Sequence, residues 1–503
     1  MNFIPLFVYL FAFMPDVQVL RWMSPDSSKP TPFRTWVSAN PQIQGWNVEQ
    51  LKSCRHTFND RVDILVQDSL ASALADYLDT LYLDLEDEGY DVAAFAITGT
   101  SCESLRAFLQ REYQDSALTA AILIGNLPVA WFQMIDDWNN NGRRDPDDGY
   151  EEFPCDLYFM DLDGVWQDTW VRYDTFDSLV PGMDSIYDTH SGNVAPEIGI
   201  ARIYAATIGK QDSLIRLYLE RCHRYRTGGL VVTERALVYI DDDWTPWAGQ
   251  WSGYVGYLYP ERMFIADSEQ TRIRDYKPRI DTAAYQWIQL CAHSWPGGHA
   301  MKYNHGQNWD WFYAESIPRI DPEACFYNLF ACSNARFIER GYCGGRYVFQ
   351  STSGLGAIGS TKTGSMLEFQ DFYYPLSNNY SLAQAFSSWF VQRAQGGFTA
   401  QERSWFYGMC LIGDGLLKPR FSVPVAENYQ NSNRFQQPIS TIIRNSFYLS
   451  ERSALLLDKT GRALARICKG ENNLRFLPAG VYFLKMTDDR KPKTEVTPIV
   501  IIH

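Results

Sequence analysis

The sequence contains no CxxC pair and no HExxH motif, which removes a structural zinc ribbon and a zincin from consideration. Its 10 cysteines in 503 residues are too few for a disulfide scaffold and too scattered for a zinc module, although a bridge or two among them is compatible with the spacing. Basic residues are in deficit: 45 Lys and Arg against 59 Asp and Glu leave a formal charge of −14. A nucleic-acid partner needs a cationic face to neutralise phosphate, and none is visible. Beyond the N-terminus no apolar run reaches the length of a bilayer-spanning helix, so no transmembrane anchor is expected. Aromatic residues, by contrast, are plentiful. The 16 Trp, 30 Tyr and 29 Phe exclude a disordered or low-complexity chain. An apolar fraction of 46% supports a sizeable core, and domains of roughly 150 residues put the prior at about three.

The first 15 residues carry no charged side chain, and Phe3 to Met14 is almost wholly apolar. That run is too short to span a membrane and suits the apolar region of an export signal occupying residues 1–20. No Lys or Arg precedes it and no A-x-A site follows, so a buried N-terminal strand is the competing reading.

Strand-like and helix-like patterns then alternate. Val62–Val66, Val92–Ile97 and Ala120–Ile124 read as strands, with helices over Leu70–Leu85 and Glu103–Tyr113 between them. A loop-rich acidic stretch, Asp136–Asp188, interrupts the pattern, which resumes with Ile198–Arg202, a helix over Lys210–Tyr225, and the apolar runs Ala236–Ile240, Trp287–Ala292 and Cys325–Ala331. A Gly- and Ser-rich strand and loop is expected over Tyr347–Gly364. Strand–helix repetition of this kind means an α/β fold with mostly parallel sheets flanked by helices. Two subdomains are expected, 21–230 and 231–424. After the polar stretch Glu427–Gln437, short β-type runs (Ala454–Leu457, Leu474–Leu477, Val481–Met486, Pro498–Ile502) suggest a small β-sandwich over 436–503.

In open parallel sheets, active sites lie beyond the carboxyl ends of the strands. One such end runs into His293-Ser294 and another into Cys332-Ser333-Asn334, 39 residues apart. A thiol nucleophile needs a neighbouring imidazole to take its proton and backbone N–H groups to hold an oxyanion. Cys291 shares a face with His293 but sits deeper in the strand; His299 and His305 are rival bases, and Cys325 and Cys343 the nearest alternative nucleophiles. Taken alone, each Cys or His is more commonly a packed core residue. Trp295 and the loop residues Gly354, Ser360 and Thr361 are candidates for substrate contact. The aromatic run Trp295–Phe312 would equally serve a non-catalytic binding or adhesion protein, the alternative function on the same scaffold.

The interrupting loop offers oxygen ligands at Asp137, Asn139, Asn141, Asp145 and Asp148, with the Arg143 carbonyl between them and Gly142 at the sixth position. This is the spacing of an EF-hand-type loop, so a structural Ca²⁺ is expected. Asp161, Asp163 and Asp168 form a weaker acidic group, and Asp241-Asp-Asp-Trp244 reads as a structural or ion-bound turn.

The two strand ends, together with Ala121-Ile-Leu-Ile-Gly-Asn-Leu-Pro128, Phe153-Pro-Cys-Asp-Leu-Tyr-Phe-Met-Asp-Leu-Asp163, Pro196-Glu-Ile-Gly-Ile-Ala-Arg202, Gly354-Leu-Gly-Ala-Ile-Gly-Ser-Thr361 and Ile412-Gly-Asp-Gly415, resemble the gingipain-like cysteine peptidases. The likeness spans Val62 to Pro419 and implies a caspase-like fold, with Cys332 as nucleophile and His293 as general base and acid acting on protein or peptide substrates. It also implies an oxyanion hole built from the N–H groups of Cys332 and Ser294. The family often has His-Gly where this chain has His293-Ser294, and the stretch matching its acidic S1 position, Ser191-Gly-Asn-Val-Ala195, has no acid, so selectivity for Arg is not implied. At the C-terminus, Leu457-Asp-Lys-Thr-Gly-Arg462, Leu477-Pro-Ala-Gly-Val-Tyr-Phe-Leu484 and Ile499-Val-Ile-Ile502 resemble a type A sorting domain. That resemblance implies the type IX secretion machinery as a partner and a secreted or cell-surface location.

Overall fold

Unbroken apolar runs become the strands of one large sheet. The computed structural model describes residues 17–43, 45–53, 60–173 and 178–421, and between 441 and 502 the strands alone. Numbered along the chain within the large sheet, the strands are β1 Asn47–Lys52, β2 Arg61–Gln67, β3 Asp91–Thr98, β4 Leu118–Ile124, β5 Gly199–Ile203, β6 Ala236–Ile240, β7 Arg262–Ile265, β8 Tyr285–Cys291, β9 Ala324–Phe330, β10 Gly356–Ser360 and β11 Met409–Gly413. Their order is β1-β3-β2-β4-β5-β11-β10-β9-β8-β6-β7. Every residue of β5, β6, β8, β9, β10 and β11 is buried, as strands covered on both faces require.

Helices form where the apolar spacing changes to three and four. Asp68–Asp87 buries Leu70, Leu74, Leu78, Leu81 and Leu85 on one stripe, and Gly89, at φ +91°, turns the chain away after it. Cys102–Ser116 starts at Ser101, whose hydroxyl accepts the Ser104 N–H. This is the mixed α/β architecture expected. Where a strand and loop were expected from Tyr347, residues 347–349 instead finish the helix Cys343–Phe349. The described cysteines are all free, and Cys54 and Cys468 lie outside the described residues.

Two pairings in the large sheet are antiparallel, β1–β3 and β10–β11; the others are parallel. The β10–β11 junction therefore reverses polarity, and the carboxyl ends of β6 to β10 point to the opposite edge from those of β2 to β5. One buried ion pair lies at the passage between the halves. Arg202, on β5, pairs with Asp156 at 2.7 Å and donates to the Pro128 carbonyl at 3.0 Å. Its guanidinium lies 4.8 Å from the ring centre of Phe337, which follows the Cys332 turn.

The described residues fall into two compact units, divided between Val423 and Pro424. Within the second, Thr441–Arg444, Val496–Ile502, Gly480–Thr487, Ser453–Leu457 and Ala463–Ile467 form a five-stranded sheet in that order, and Ser446–Leu449 pairs with Gly470–Asn473. The run Leu474–Leu477 lies outside the described residues. Arg202→Ala should destabilise the first unit by about 3–5 kcal/mol, because it leaves the Asp156 carboxylate buried and unpaired. The midpoint of urea unfolding at unchanged slope measures it.

Candidate active site

β8 and β9 pair in register from Tyr285 opposite Ala324 to Cys291 opposite Phe330. Two further contacts extend the alignment past the strand ends. The Ala292 N–H donates to the Phe330 carbonyl at 3.1 Å, and the Ser294 hydroxyl donates to the Cys332 carbonyl at 2.7 Å. His293 and Cys332 therefore occupy equivalent positions at adjacent strand ends. Beyond His293 the chain forms an antiparallel three-stranded sheet, His293–Trp295, Gly298–Tyr303 and Asn308–Tyr313. Beyond Cys332 it turns sharply: Ser333 takes φ +54°, a left-handed conformation that costs a non-glycine residue about 1–2 kcal/mol. The turn is held by Ser333 N–H on the Lys362 carbonyl and Ala335 N–H on the Ser360 carbonyl, both at 3.0 Å.

The imidazole is fixed from both sides. His293 Nε2 lies 2.7 Å from Asp243 Oδ2, and Nδ1 accepts the backbone N–H of Arg21 at 3.0 Å. A backbone N–H can only donate, so Nδ1 is unprotonated and Nε2 carries the hydrogen that Asp243 accepts. Asp243 also receives the Lys302 ammonium at 2.6 Å, while Asp241 accepts the N–H groups of Asp243 and Lys302. Burial works against the Asp243 charge, but its bonds to His293 and Lys302 outweigh it and hold the carboxyl below its ordinary range. For His293 burial dominates and lowers the imidazole, against the opposing pull of Asp243. The ring is neutral near pH 7.

Cys332 is fully buried. Burial pushes its thiol well up, Glu151 adds to the rise, and the Gly364 amide, Lys362 and Thr363 oppose it. Lys362 is also inaccessible and holds Asp136 and Glu151 at 2.9 and 3.0 Å. With the thiol raised by burial and the imidazole lowered by it, both groups are uncharged near pH 7.

The sequence model of Peptidase family C25 matches residues 64–420 of this chain. The chain belongs to peptidase family C25. It is therefore a cysteine-type peptidase by family, and no curated protein matches it.

In this C25 peptidase the other expected site residues scatter. Trp295 is 6% exposed and packs its ring on Tyr313, inside the hairpin rather than on a cleft wall. Gly354 lies at the wrong end: β10 runs parallel to β9, so the residue preceding Gly356 is near the start of β9, where the Leu355 N–H meets the Cys325 carbonyl. Ser360 and Thr361 do stand at the carboxyl end of β10, next to Lys362 and Thr363. Both are buried, and the Thr361 hydroxyl donates inward to the Pro154 carbonyl. The Ser294 N–H, expected in the oxyanion hole, faces the Arg21 carbonyl at 3.4 Å.

Among the rivals, His299 does meet a thiol, Cys343, at 3.5 Å, but both are buried among Tyr276, Phe312 and Tyr347. Burial drives that imidazole down to about 3. His305 is exposed beside Ser268 and Glu269. Cys291 is buried against Gln289, and Cys325 is at the far end of β9.

The side-chain oxygens of the 137–148 loop accept N–H groups of the loop itself. Asp137 accepts the N–H groups of Asn141 and Gly142 at 3.0 and 2.9 Å, Asn139 and Asn141 both reach Asp145 Oδ2, and Asp148 accepts the N–H groups of Trp138 and Asp145. Asp161 and Asp163 approach Glu197 rather than Asp168, which accepts the N–H groups of Asp184 and Ser185.

Sequence reasoning missed Asp243. It sits in an acidic turn that reads as structural by itself; only the parallel pairing of β6 with β8 brings it under His293. Asp243→Ala should lower kcat/KM about tenfold or more while leaving KM nearly unchanged, since it frees the imidazole to take the wrong tautomer. In the wild type, iodoacetamide labelling of Cys332 should be slow at pH 7 and still be rising above pH 8.5, the ordinary thiol value, because burial disfavours the thiolate.

Proposed function

We propose that this chain is an exported endopeptidase that cleaves proteins through a Cys332–His293 dyad positioned by Asp243. The observation that carries the reading is the placement of thiol and imidazole at equivalent ends of two in-register parallel strands. His293 Nδ1 takes the thiol proton as sulfur adds to the peptide carbonyl. The same proton passes to the leaving nitrogen as the carbon–nitrogen bond breaks, and an acyl-enzyme remains. Water, deprotonated by Nδ1, then releases the acyl group as a carboxylate. Asp243 accepts the Nε2 hydrogen throughout and steadies the imidazolium while it exists; Lys302 keeps that carboxylate charged. Backbone N–H groups at the two strand ends, those of Cys332 and Ser294, would receive the oxyanion.

Export is supported by the apolar run in residues 1–20, of which 1–16 lie outside the described residues, and by the β-rich second unit. With the motifs of its sequence, that unit fits a sorting domain read by the type IX machinery, which would carry the peptidase outside the cell or onto its surface. Among the described residues no helix is long and apolar enough to cross a membrane.

The donor set of the 137–148 loop fits a hard cation, with five oxygen-bearing side chains and the Arg143 carbonyl, and a sharp turn at Gly142, φ +68°. Bound Ca²⁺ would brace the loop that flanks the cleft.

Cys332→Ala should abolish hydrolysis of casein and of fluorogenic peptides while the melting temperature stays within a few degrees, because only a small cavity is created. Turnover retained in that variant would move the nucleophile elsewhere. Removing calcium with a chelator should lower the melting temperature, and Asp137→Ala should erase most of the difference. At a hundredfold excess over Kd the ion adds about 2.7 kcal/mol. Identical melting with and without chelator would remove calcium from the loop.

A further inference from the structure

A second recess opens at the other edge of the sheet. β3 and β4 lie on either side of β2, so the helices that follow β2 and β3, Asp68–Asp87 and Cys102–Ser116, cover opposite faces. Their first turns part around the carboxyl ends of β2 and β4, and open α/β sheets take ligands at such a divide. Here it holds a cavity of about 1080 Å³, lined by residues 67–69 after β2, 97–104 after β3 and 126–129 after β4. Residues of the 33–46 segment close the remaining side. Phe33 and Trp36, on the helix Phe33–Ala39, pack on Trp131 with ring centres 5.4 and 5.6 Å away, and Trp46 leads into β1. The segment is pinned: the Ile43 N–H donates to the Thr100 hydroxyl at 3.0 Å, which donates to Gln42 Oε1 at 2.8 Å. Gly99, at φ +109°, lets it approach, since a Cβ there would stand 2.5 Å from the Gly45 carbonyl oxygen.

The lining decides what fits. Helix N-termini ordinarily take phosphate, but no Lys, Arg or His lines this cavity, and each first turn already carries an acid, Asp68 or Glu103. Burial works against the Glu103 charge, yet hydrogen bonds from its own amide and from the Ser101 and Tyr187 hydroxyls outweigh it and hold the carboxyl below its ordinary range. An anion would meet two acids and no cation; a cation would meet the positive ends of two helices. A neutral ligand remains. Around the four aromatic rings the lining is hydroxyl and amide, with no side chain capping the Asp68–Asp87 helix, so the N–H groups of its first turn are left to be met from the cavity. Trp131 is 2% exposed, and its indole N–H has no partner among the described residues. Leaving such a donor buried and unmet costs about 1–3 kcal/mol, which a ligand oxygen would recover. Hydroxyls that both donate and accept, on a ring whose C–H face lies flat on an indole, describe a sugar. The cavity is at the upper end of the about 300–1,000 Å³ of small-molecule pockets, room for more than one such ring.

We propose that this cavity binds a neutral oligosaccharide, with sugar rings against Trp36 and Trp46 and a ligand oxygen on the Trp131 indole N–H. Asp68 and Glu103 accept from ligand hydroxyls, and the N–H groups of the Asp68–Asp87 first turn donate to them. The site is independent of the dyad reading, because His293 and Cys332 stand at the opposite edge of the sheet. It gives the peptidase a hold on a glycan, carried by a protein substrate or standing free as a polysaccharide, that leaves the cleft unoccupied.

The test uses the full-length protein. Labelled wild type is applied to immobilised neutral, sulfated and sialylated glycans, and the neutral glycan that retains it best is titrated in solution by tryptophan fluorescence. Retention on neutral glycans alone is expected, with Cys332→Ala retained equally. Trp46→Ala should weaken binding at least tenfold while hydrolysis of a fluorogenic peptide stays unchanged, which also shows that the variant folds. Trp131→Phe, which keeps a ring and removes the N–H, should weaken it at least threefold. Cleavage of one glycoprotein before and after enzymatic removal of its glycans identifies the source. Faster cleavage of the glycosylated form, lost in Trp46→Ala, assigns the site to glycans on substrates; equal rates assign it to free polysaccharide. No retention on any neutral glycan, retention on acidic glycans only, or binding unchanged in both tryptophan variants overturns the proposal and leaves the dyad reading standing.

Discussion

The register between β8 and β9 is the constraint on which the proposed Cys332–His293 chemistry depends. Side chains alternate along a strand, so a slip of one residue would turn either His293 or Cys332 to the other face of the sheet. Six paired positions of buried strand oppose that slip, backed by Trp287 on Phe326 and by the Ser294 hydroxyl bridging to the Cys332 carbonyl. Ser294 thereby gains a purpose that a glycine could not serve. Its side chain ties the two strand ends together where the ladder has run out.

Charge is placed with equal care, because His293 and Cys332 sit in a medium where an isolated ion is costly. Each enclosed cation near the dyad has acids to meet it: Lys302 has Asp243, and Lys362 has Asp136 and Glu151. Asp241, Asp243 and His293 have their ligand atoms within 4.8 Å of one another, close enough for a metal. Lys302 already supplies the positive charge there, so the group works as a positioning network for the imidazole. The Cys332 thiol and the His293 imidazole are left without a fixed charge, as the proposed proton exchange requires.

Much of the fold was legible because burial on both faces leaves a plain trace. The runs at 62–66, 92–97, 120–124 and 236–240 are strands within a residue or two of their expected bounds, and the leucines of the Asp68–Asp87 helix are its buried stripe. The strand ends bearing His293 and Cys332 were legible for the same reason. What failed were judgements that needed pairing partners. Gly354 was grouped with Ser360 and Thr361 by proximity in sequence, yet five residues of parallel strand put them at opposite edges. Trp295 reads as a surface aromatic until Gly298 opposite it proves too crowded for any side chain: a Cβ there would stand 1.9 Å from the Phe312 carbonyl oxygen. Asp243 and Arg21 were invisible because each reaches His293 from a distant part of the chain.

The polarity reversal at β10–β11 explains why the longest interruption falls where it does. β4 ends at Ile124 on the edge shared with Gly413 and the start of β10, while His293 and Cys332 are on the other edge. To reach it, the chain must cross the sheet between β4 and β5, and the paired strands Trp131–Ile135 and Tyr150–Pro154 make that crossing. The Pro154 carbonyl receives the Thr361 hydroxyl at the carboxyl end of β10, and the loop between the two strands, Asp136–Gly149, is delivered to the side of the cleft. The β2–β5 half therefore contributes no reactive side chain of its own; it contributes Asp136 and Glu151, which hold Lys362 under the Cys332 turn. A loop that is a long acidic insertion in the sequence is, in the fold, the means by which one half of the sheet takes part in the candidate active site of the other.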